Sequence, residues 1–363
     1  MTGSWTFRTL IVLGAVPLSA CRTPSATSAA ATAGWTISTA PSLPEPLSNN
    51  AVAAAEVDGR VRVLSFLGIG ASRDYTAISR RAYALDVSTG VWERLPDVPG
   101  PAGRLAATAE AVGGQVYLFG GYEVAADATE TTSPAVDIYD IRERRYTRGR
   151  DAPTPVDDAV SGVWRGRLVY LVGGWSMDRT VRDVQFYDPR GDAWSAATSL
   201  TGTPVFGHSG ALVRDTIVYC GGAKMNAPAA PKYLPSAECH RGDIDASDPS
   251  RVDWKPIAAL PGLPRYRMAA GPVDAGDMVG VLFVGGTTNP YNFDGMGYDG
   301  RPSAPEAASW LYDVEHDRWL PGPTLAAPTM DHRGAVQGGG SWFVIGGMEA
   351  GQRVTSRVTR LAR

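Results

Sequence analysis

Charged residues make up only 20% of this chain, yet a few positions gather them tightly. Asp157-Asp158, Arg265-Tyr266-Arg267 and Asp331-His332-Arg333 are such clusters, and Arg104 and His208 stand alone at comparable places. Carboxylates and imidazoles exchange protons, and arginine holds carboxylates or polyols with its forked donors. Asp158, His208 and Asp331 are therefore the candidates to move a proton. Arg104, Arg267, His332 and Arg333 are the candidates to hold an anionic or hydroxyl-rich ligand. The alternative reading is structural, with each such side chain bonded to the backbone of a neighbouring unit.

Other chemistry has little support. GxSxG, HExxH, CxxC and phosphate-loop motifs are absent from the sequence. The four histidines, 208, 240, 316 and 332, have no metal-ligand spacing, so no metal and no cofactor is expected. Asp294 and Asp299 lack the alternating oxygen ligands of a calcium loop. Net charge is −3, and only three of the 34 basic residues are lysine, so nucleic acid is not an expected partner.

The elements that must position these residues form a repeat. Apolar runs end in Gly-Gly at Gly120, Gly173, Gly221, Gly285 and Gly346, giving steps of 53, 48, 64 and 61 residues. A sixth run, VRVLSFLGIG, ends in the degraded pair Gly68 and Gly70. Aromatic residues recur at Trp35, Trp92, Tyr146, Trp194, Trp254 and Trp319. Six residues before each of the last five stands an aspartate: Asp86, Asp140, Asp188, Asp248 and Asp313. With 42 glycines and 27 prolines, this predicts short strands and tight turns. The final unit, from about Arg333, has no aromatic fourth strand, whereas GWTIS near the N-terminus is an orphan. Trp35 is therefore expected to complete the last unit, for six in all.

Strand–GlyGly–strand–Asp–strand–Trp units of this length resemble the kelch family. The resemblance spans Trp35 to Arg363. It implies an all-β, six-bladed β-propeller whose last blade is closed by the N-terminal strand around Trp35. In such a fold the first strands line the axis, and the residues leading into them ring one mouth: Asn49 and Asn50, Arg104, Asp157 and Asp158, His208, Arg265 to Arg267, and Asp331 to Arg333. Insertions after Gly222 and Gly286 bring Lys232, Tyr233, Tyr291, Phe293 and Tyr298, with Tyr291 and Tyr298 as candidate ligand-binding residues of a lid or rim. Galactose oxidase shares the fold, but its copper site needs a Tyr cross-linked to Cys and a Tyr-His pair that are not matched here. A closer resemblance is to bacterial N-acetylneuraminate epimerases, which are exported six-bladed kelch proteins. It implies anomer exchange on an acidic sugar.

The N-terminus reads as an address. Arg8 precedes an apolar run of about ten residues, signal-like in length and too short to span a membrane. Leu18-Ser19-Ala20-Cys21 resembles a lipobox, with Cys21 as the lipidated residue. Residues 1–20 are the expected signal peptide, 21–34 a flexible tether and 35–363 the propeller. Arg22 in place of aspartate points to the outer membrane over retention at the inner one. Export would let Cys220 and Cys239 form a disulfide, the alternative being two buried thiols. Three functions follow from the sequence. The first is a monomeric, lipid-anchored binder of carbohydrate or of an envelope protein partner, periplasmic or outer-membrane. The second is a mutarotase or epimerase. The third is a structural component of an envelope assembly.

Overall fold

The computed structural model describes residues 1–3 and 34–363. The expected signal peptide, Cys21 and the tether lie almost wholly outside the described residues. The unit Thr32–Arg363 contains six four-stranded antiparallel sheets, each with its first strand at one edge. Those first strands are Ala51–Val57, Thr108–Val112, Val160–Trp164, Ser209–Val213, Ala269–Ala275 and Val336–Gly338. They begin blades 1 to 6. Neighbouring first strands contact one another around an axis. Blade 6 takes its outer strand from the other end of the chain. Thr36–Ala40 pairs with Val358–Ala362 over five residues, and Trp35 packs edge-on against Trp342 at 5.2 Å.

The repeated residues do the joining. Each aspartate caps the turn between strands three and four; Asp86 accepts from the amides of Ser88 and Thr89, and Asp140 from those of Arg142 and Glu143. Each aromatic on the strand that follows this turn reaches the preceding blade. Trp92, Trp194, Trp254 and Trp319 donate their indole N–H, and Tyr146 its hydroxyl, to carbonyls of Pro41, Arg150, Thr198, Ala258 and Pro96 respectively. The second glycine of a pair donates to the next blade, as Gly121 does to the Val156 carbonyl. A Cβ on Gly120 would lie 2.0 Å from that same oxygen, so the blades meet only because the side chain is missing. In blade 1 the sequence reading placed the pair at Gly68 and Gly70. The structure uses Leu67 and Gly68 instead, with Leu67 at φ 62° and the Gly68 amide bonded to the Arg104 carbonyl.

A second ring lies at the axis. One residue just ahead of each first strand has left-handed backbone: Asn49, Ala106, Asp158, Gly207, Arg267 and Asp331. Their polar groups form a closed circle. Asn49, Asp158, Gly207 and Arg267 each donate an amide to the preceding ring carbonyl at 2.9–3.1 Å. The Ala106 amide donates to the Asn49 side chain at 2.9 Å, and the His332 amide closes the circle on Arg267 at 3.3 Å. Five of the six are not glycine, and each such residue costs about 1–2 kcal/mol of backbone strain.

Two substitutions in this ring should act in opposite directions. A Cβ at Gly207 would sit 2.1 Å from the Tyr266 ring, so Gly207→Ala is expected to lose about 3 kcal/mol in thermal or chemical denaturation. Ala106→Gly relieves left-handed strain and should leave stability unchanged or higher. Equal stability of wild type and Gly207→Ala would contradict this ring geometry.

Candidate functional site

The ring side chains carry the charge at the mouth. Arg267 grips Asp158 with two nitrogens, at 3.1 and 2.6 Å, and sends its third to Asp331 at 2.9 Å. Arg333 adds a bond to Asp158 at 2.6 Å and one to the Ala159 carbonyl at 2.9 Å. Asp331 also accepts from Ser48 at 2.6 Å, from Tyr291 at 3.0 Å and from Asn49 at 3.3 Å. The side chains of all four charged residues are at most 3% exposed. Two arginines and two aspartates thus balance one another across blades 3, 5 and 6 without solvent.

Apolar groups cover this clasp. Leu105, Phe206, Tyr266 and Met330 precede ring residues, and each pairs by backbone with the residue that follows its own blade's Gly-Gly. Those side chains form one cluster that includes Tyr291 and Tyr233, the latter from the blade 4 insertion. The Arg267 guanidinium lies 5.0 Å from the Tyr266 ring centre and 5.4 Å from that of Tyr291. Tyr291, from the blade 5 insertion, is fully buried.

One recess remains open in the cover, about 50 Å³ in volume. Asp157 and Arg267 line it, with Glu130, Trp175, Tyr233 and Tyr298 around them. Asp157 and Asp158 are adjacent but electrostatically opposite. Burial penalises the charge of Asp158, yet Arg267 and Arg333 hold its carboxyl below the ordinary carboxylate range. Burial pushes the Asp157 carboxyl well above that range, and the neighbouring Asp158 charge raises it further. Its protein partner is Thr132, whose hydroxyl donates at 2.8 Å. Asp157 thus holds its proton to higher pH than an ordinary aspartate, and it faces the recess.

On the other side of the ring the axis opens into a channel cavity of about 290 Å³, walled by the first strands of all six blades. Its wall is mostly alanine, glycine and valine, as the sequence reading expected of residues near a crowded axis. Glu110 interrupts it.

The structure brings together Asp158, Arg267, Asp331, Arg333 and Tyr291 from the sequence-derived set. Tyr298 lies beside them, packed 4.6 Å from Tyr233. Arg104 stands apart, because two residues ahead of the ring position Ala106 the chain is still outside the ring. It pairs with Asp137 on its own blade and reaches Ser133 at 3.3 Å. The His332 ring tucks beneath Gly347, the second glycine of its own blade, and the His208 ring lies beside Gly173 of blade 3, with His208 Nε2 bonded to the Val172 carbonyl at 3.0 Å and His332 Nε2 to Thr329 Oγ1 at 2.7 Å. Burial lowers them to about 4 and about 3, so both are neutral at physiological pH. Cys220 and Cys239 oppose each other on adjacent strands of blade 4 and are joined as a disulfide. The sequence reading missed Glu110, Glu130, Tyr122 and Trp175. For the last two a signal existed, since each directly follows a Gly-Gly pair.

A family model described as the KLHDC2/KLHL20/DRC7 Kelch-repeats domain matches residues 30–222, more than half of the chain. The chain belongs to the kelch-repeat family. Its curated relatives include beta-scruin of Limulus polyphemus, 27% identical over 173 residues, which are 46% of this chain and 18% of scruin. Kelch-like protein 25 of Xenopus tropicalis is 26% identical over 43% of this kelch chain and 24% of its own length. Kelch-like protein terF of Aspergillus terreus is 29% identical over 36% and 28% respectively. The matches therefore span less than a third of these relatives. Among solved structures, the one described as "Structure of YjhT" aligns with a TM-score of 0.69 over 88% of this chain and 96% of that one. At 17% identity this is a likeness of fold.

The buried clasp yields a stability prediction. Arg267→Ala leaves Asp331 without a cation and Asp158 with Arg333 alone, and removing one partner of such a network costs about 3–5 kcal/mol. Denaturant unfolding should show a loss of that size. A loss below about 1 kcal/mol would mean that the three side chains do not share a dry site.

Proposed function

We propose that this kelch propeller is an exported, lipid-anchored protein that binds a carbohydrate at its mouth. The observation that carries the reading is the recess beside Arg267, with aromatic walls and Asp157, whose carboxyl burial raises, in its lining. Aromatic faces suit the C–H surface of a sugar ring, and a protonated carboxyl both donates to and accepts from hydroxyls. A recess of about 50 Å³ has room for a few waters or one substituent, so the ring itself would rest on Trp175 and Tyr298 at the rim. The N-terminal reading of Cys21 as a lipidation site supports placement at the cell envelope.

A second reading, anomer exchange on an acidic sugar, is favoured by one feature. Asp157 and Glu130 share the recess, and neither is ion-paired to arginine among the described residues. Anomer exchange needs an acid and a base at one sugar carbon, and two carboxyls in unlike environments meet that need.

Saturation-transfer NMR with a panel of reducing sugars, including acidic ones, tests both readings. Binding to wild type should weaken at least tenfold in Asp157→Asn and in Tyr298→Ala, with both variants shown by circular dichroism to be folded at the assay temperature. Faster anomer exchange, lost in Asp157→Asn, would move the protein to the second reading. Wild-type binding by both variants, or no binding by any sugar, would overturn the site. Incorporation of labelled fatty acid, abolished by Cys21→Ser, tests the anchor; an unlabelled wild-type protein would remove it.

A further inference from the structure

We propose that the axial channel is a separate ligand site that takes a small protonated amine at Glu110. The cavity of about 290 Å³ lies on the far side of the axial ring from the mouth recess. Its inner end carries Arg333, which is already committed to Asp158. Glu110 sits on the first strand of blade 2, and Ser161 of blade 3 donates its hydroxyl to one Glu110 oxygen at 2.7 Å. Among the described residues no arginine, lysine or histidine pairs with Glu110. A carboxyl held inside the channel, with no counter-charge paired to it by the protein, is costly unless a cation arrives from outside or a proton stays on.

The rest of the cavity matches an ammonium group with a short carbon body. Each first strand stands at the edge of its sheet, so one side of its backbone is left unpaired by that sheet. An ammonium has three donors. The Glu110 carboxylate, the Ser161 hydroxyl and backbone carbonyls are the matching acceptors. Ala53, Ala54, Ala109, Ala111, Ala335 and Val336 offer small apolar surface for the carbon chain. A metal ion is the poorer fit. One carboxylate in so large a space supplies too few hard ligands, and among the described residues no three His, Cys, Asp or Glu side chains gather as a metal site.

Burial raises the Glu110 carboxyl to about 7. The charged groups on the surrounding elements do not offset this. Arg333 is bound to Asp158, Glu56 is exposed near the outer end of the blade 1 strand, and Asp274 of blade 5 is paired with Arg214. Blade 3 contributes Ser161 and blade 6 Gln337, both uncharged, while His208 of blade 4 and His332 of blade 6 are kept neutral by burial. An amine that binds the carboxylate must therefore displace the proton where one is present. Occupancy then depends on pH, with tighter binding above neutrality.

Calorimetric titration of the purified protein with propylammonium chloride tests this, with sodium chloride as control. Saturable binding is expected at pH 8 and should be roughly tenfold weaker at pH 6, following the ionised fraction of a group near 7. At pH 7, heats in two buffers of different ionisation enthalpy should report release of about half a proton per amine. Glu110→Gln should weaken binding at least tenfold. Absence of saturable binding, equal binding by Glu110→Gln, or binding without proton release would each overturn the proposal. The buffer comparison needs only wild type, so the test stands even if the variant fails to fold.

Discussion

Four buried charges at the axis decide what the rest of this molecule can do. Arg267 of blade 5 spans from Asp158 of blade 3 to Asp331 of blade 6, and Arg333 returns from blade 6 to Asp158. Such a clasp is tolerable only if every charge is matched and every spare donor or acceptor is nearly satisfied. That requirement fixes Ser48, Asn49 and Tyr291 around Asp331. It also requires the backbone to turn left-handed at Asp158, Arg267 and Asp331, so that their side chains converge at the axis. The apolar cover of Phe206, Tyr266 and Met330 then keeps the clasp dry.

The clasp separates two environments that share one axis. Above it, the recess at the mouth is small, aromatic and acidic, and burial, with the charge of Asp158 beside it, raises the Asp157 carboxyl. Below it, the channel is wider, small-residue and nearly featureless apart from Glu110. Neither carboxyl is neutralised by arginine, because Arg267 and Arg333 are spent on the clasp. Structural satisfaction of the arginines is thus what leaves Asp157 and Glu110 available for chemistry with something other than the protein.

Much of the architecture was legible in the sequence. Gly-Gly pairs, turn aspartates and fourth-strand aromatics each have a local physical job, and the orphan strand after Gly34 announced the closure. The repeat also pointed to the right stretch of chain for the axial residues. It did not resolve which of three consecutive side chains turns inward. Arg104, Arg267 and Arg333 look alike as arginines beside a first strand, yet they stand respectively two residues ahead of, on and two residues behind ring positions. Left-handed backbone at Arg267 and Ala106 has no residue-type signal, unlike that at Asn49 or Asp158. The Arg267–Asp158 pair joins residues 109 apart in sequence, and a single sequence carries no record of such a pairing. Glu110 was passed over because the strand around it reads as a run of small wall residues.

The central claim is that adjacent aspartates at the mouth are shifted in opposite directions from the ordinary aspartate range. Carbon-13 NMR titration of the aspartate carboxyl carbons, with Asp157→Asn and Asp158→Asn for assignment, measures this directly. The account predicts that Asp157 releases its proton well above the ordinary aspartate range and Asp158 below it. Both carboxyls titrating together near 4, the ordinary aspartate range, would contradict it.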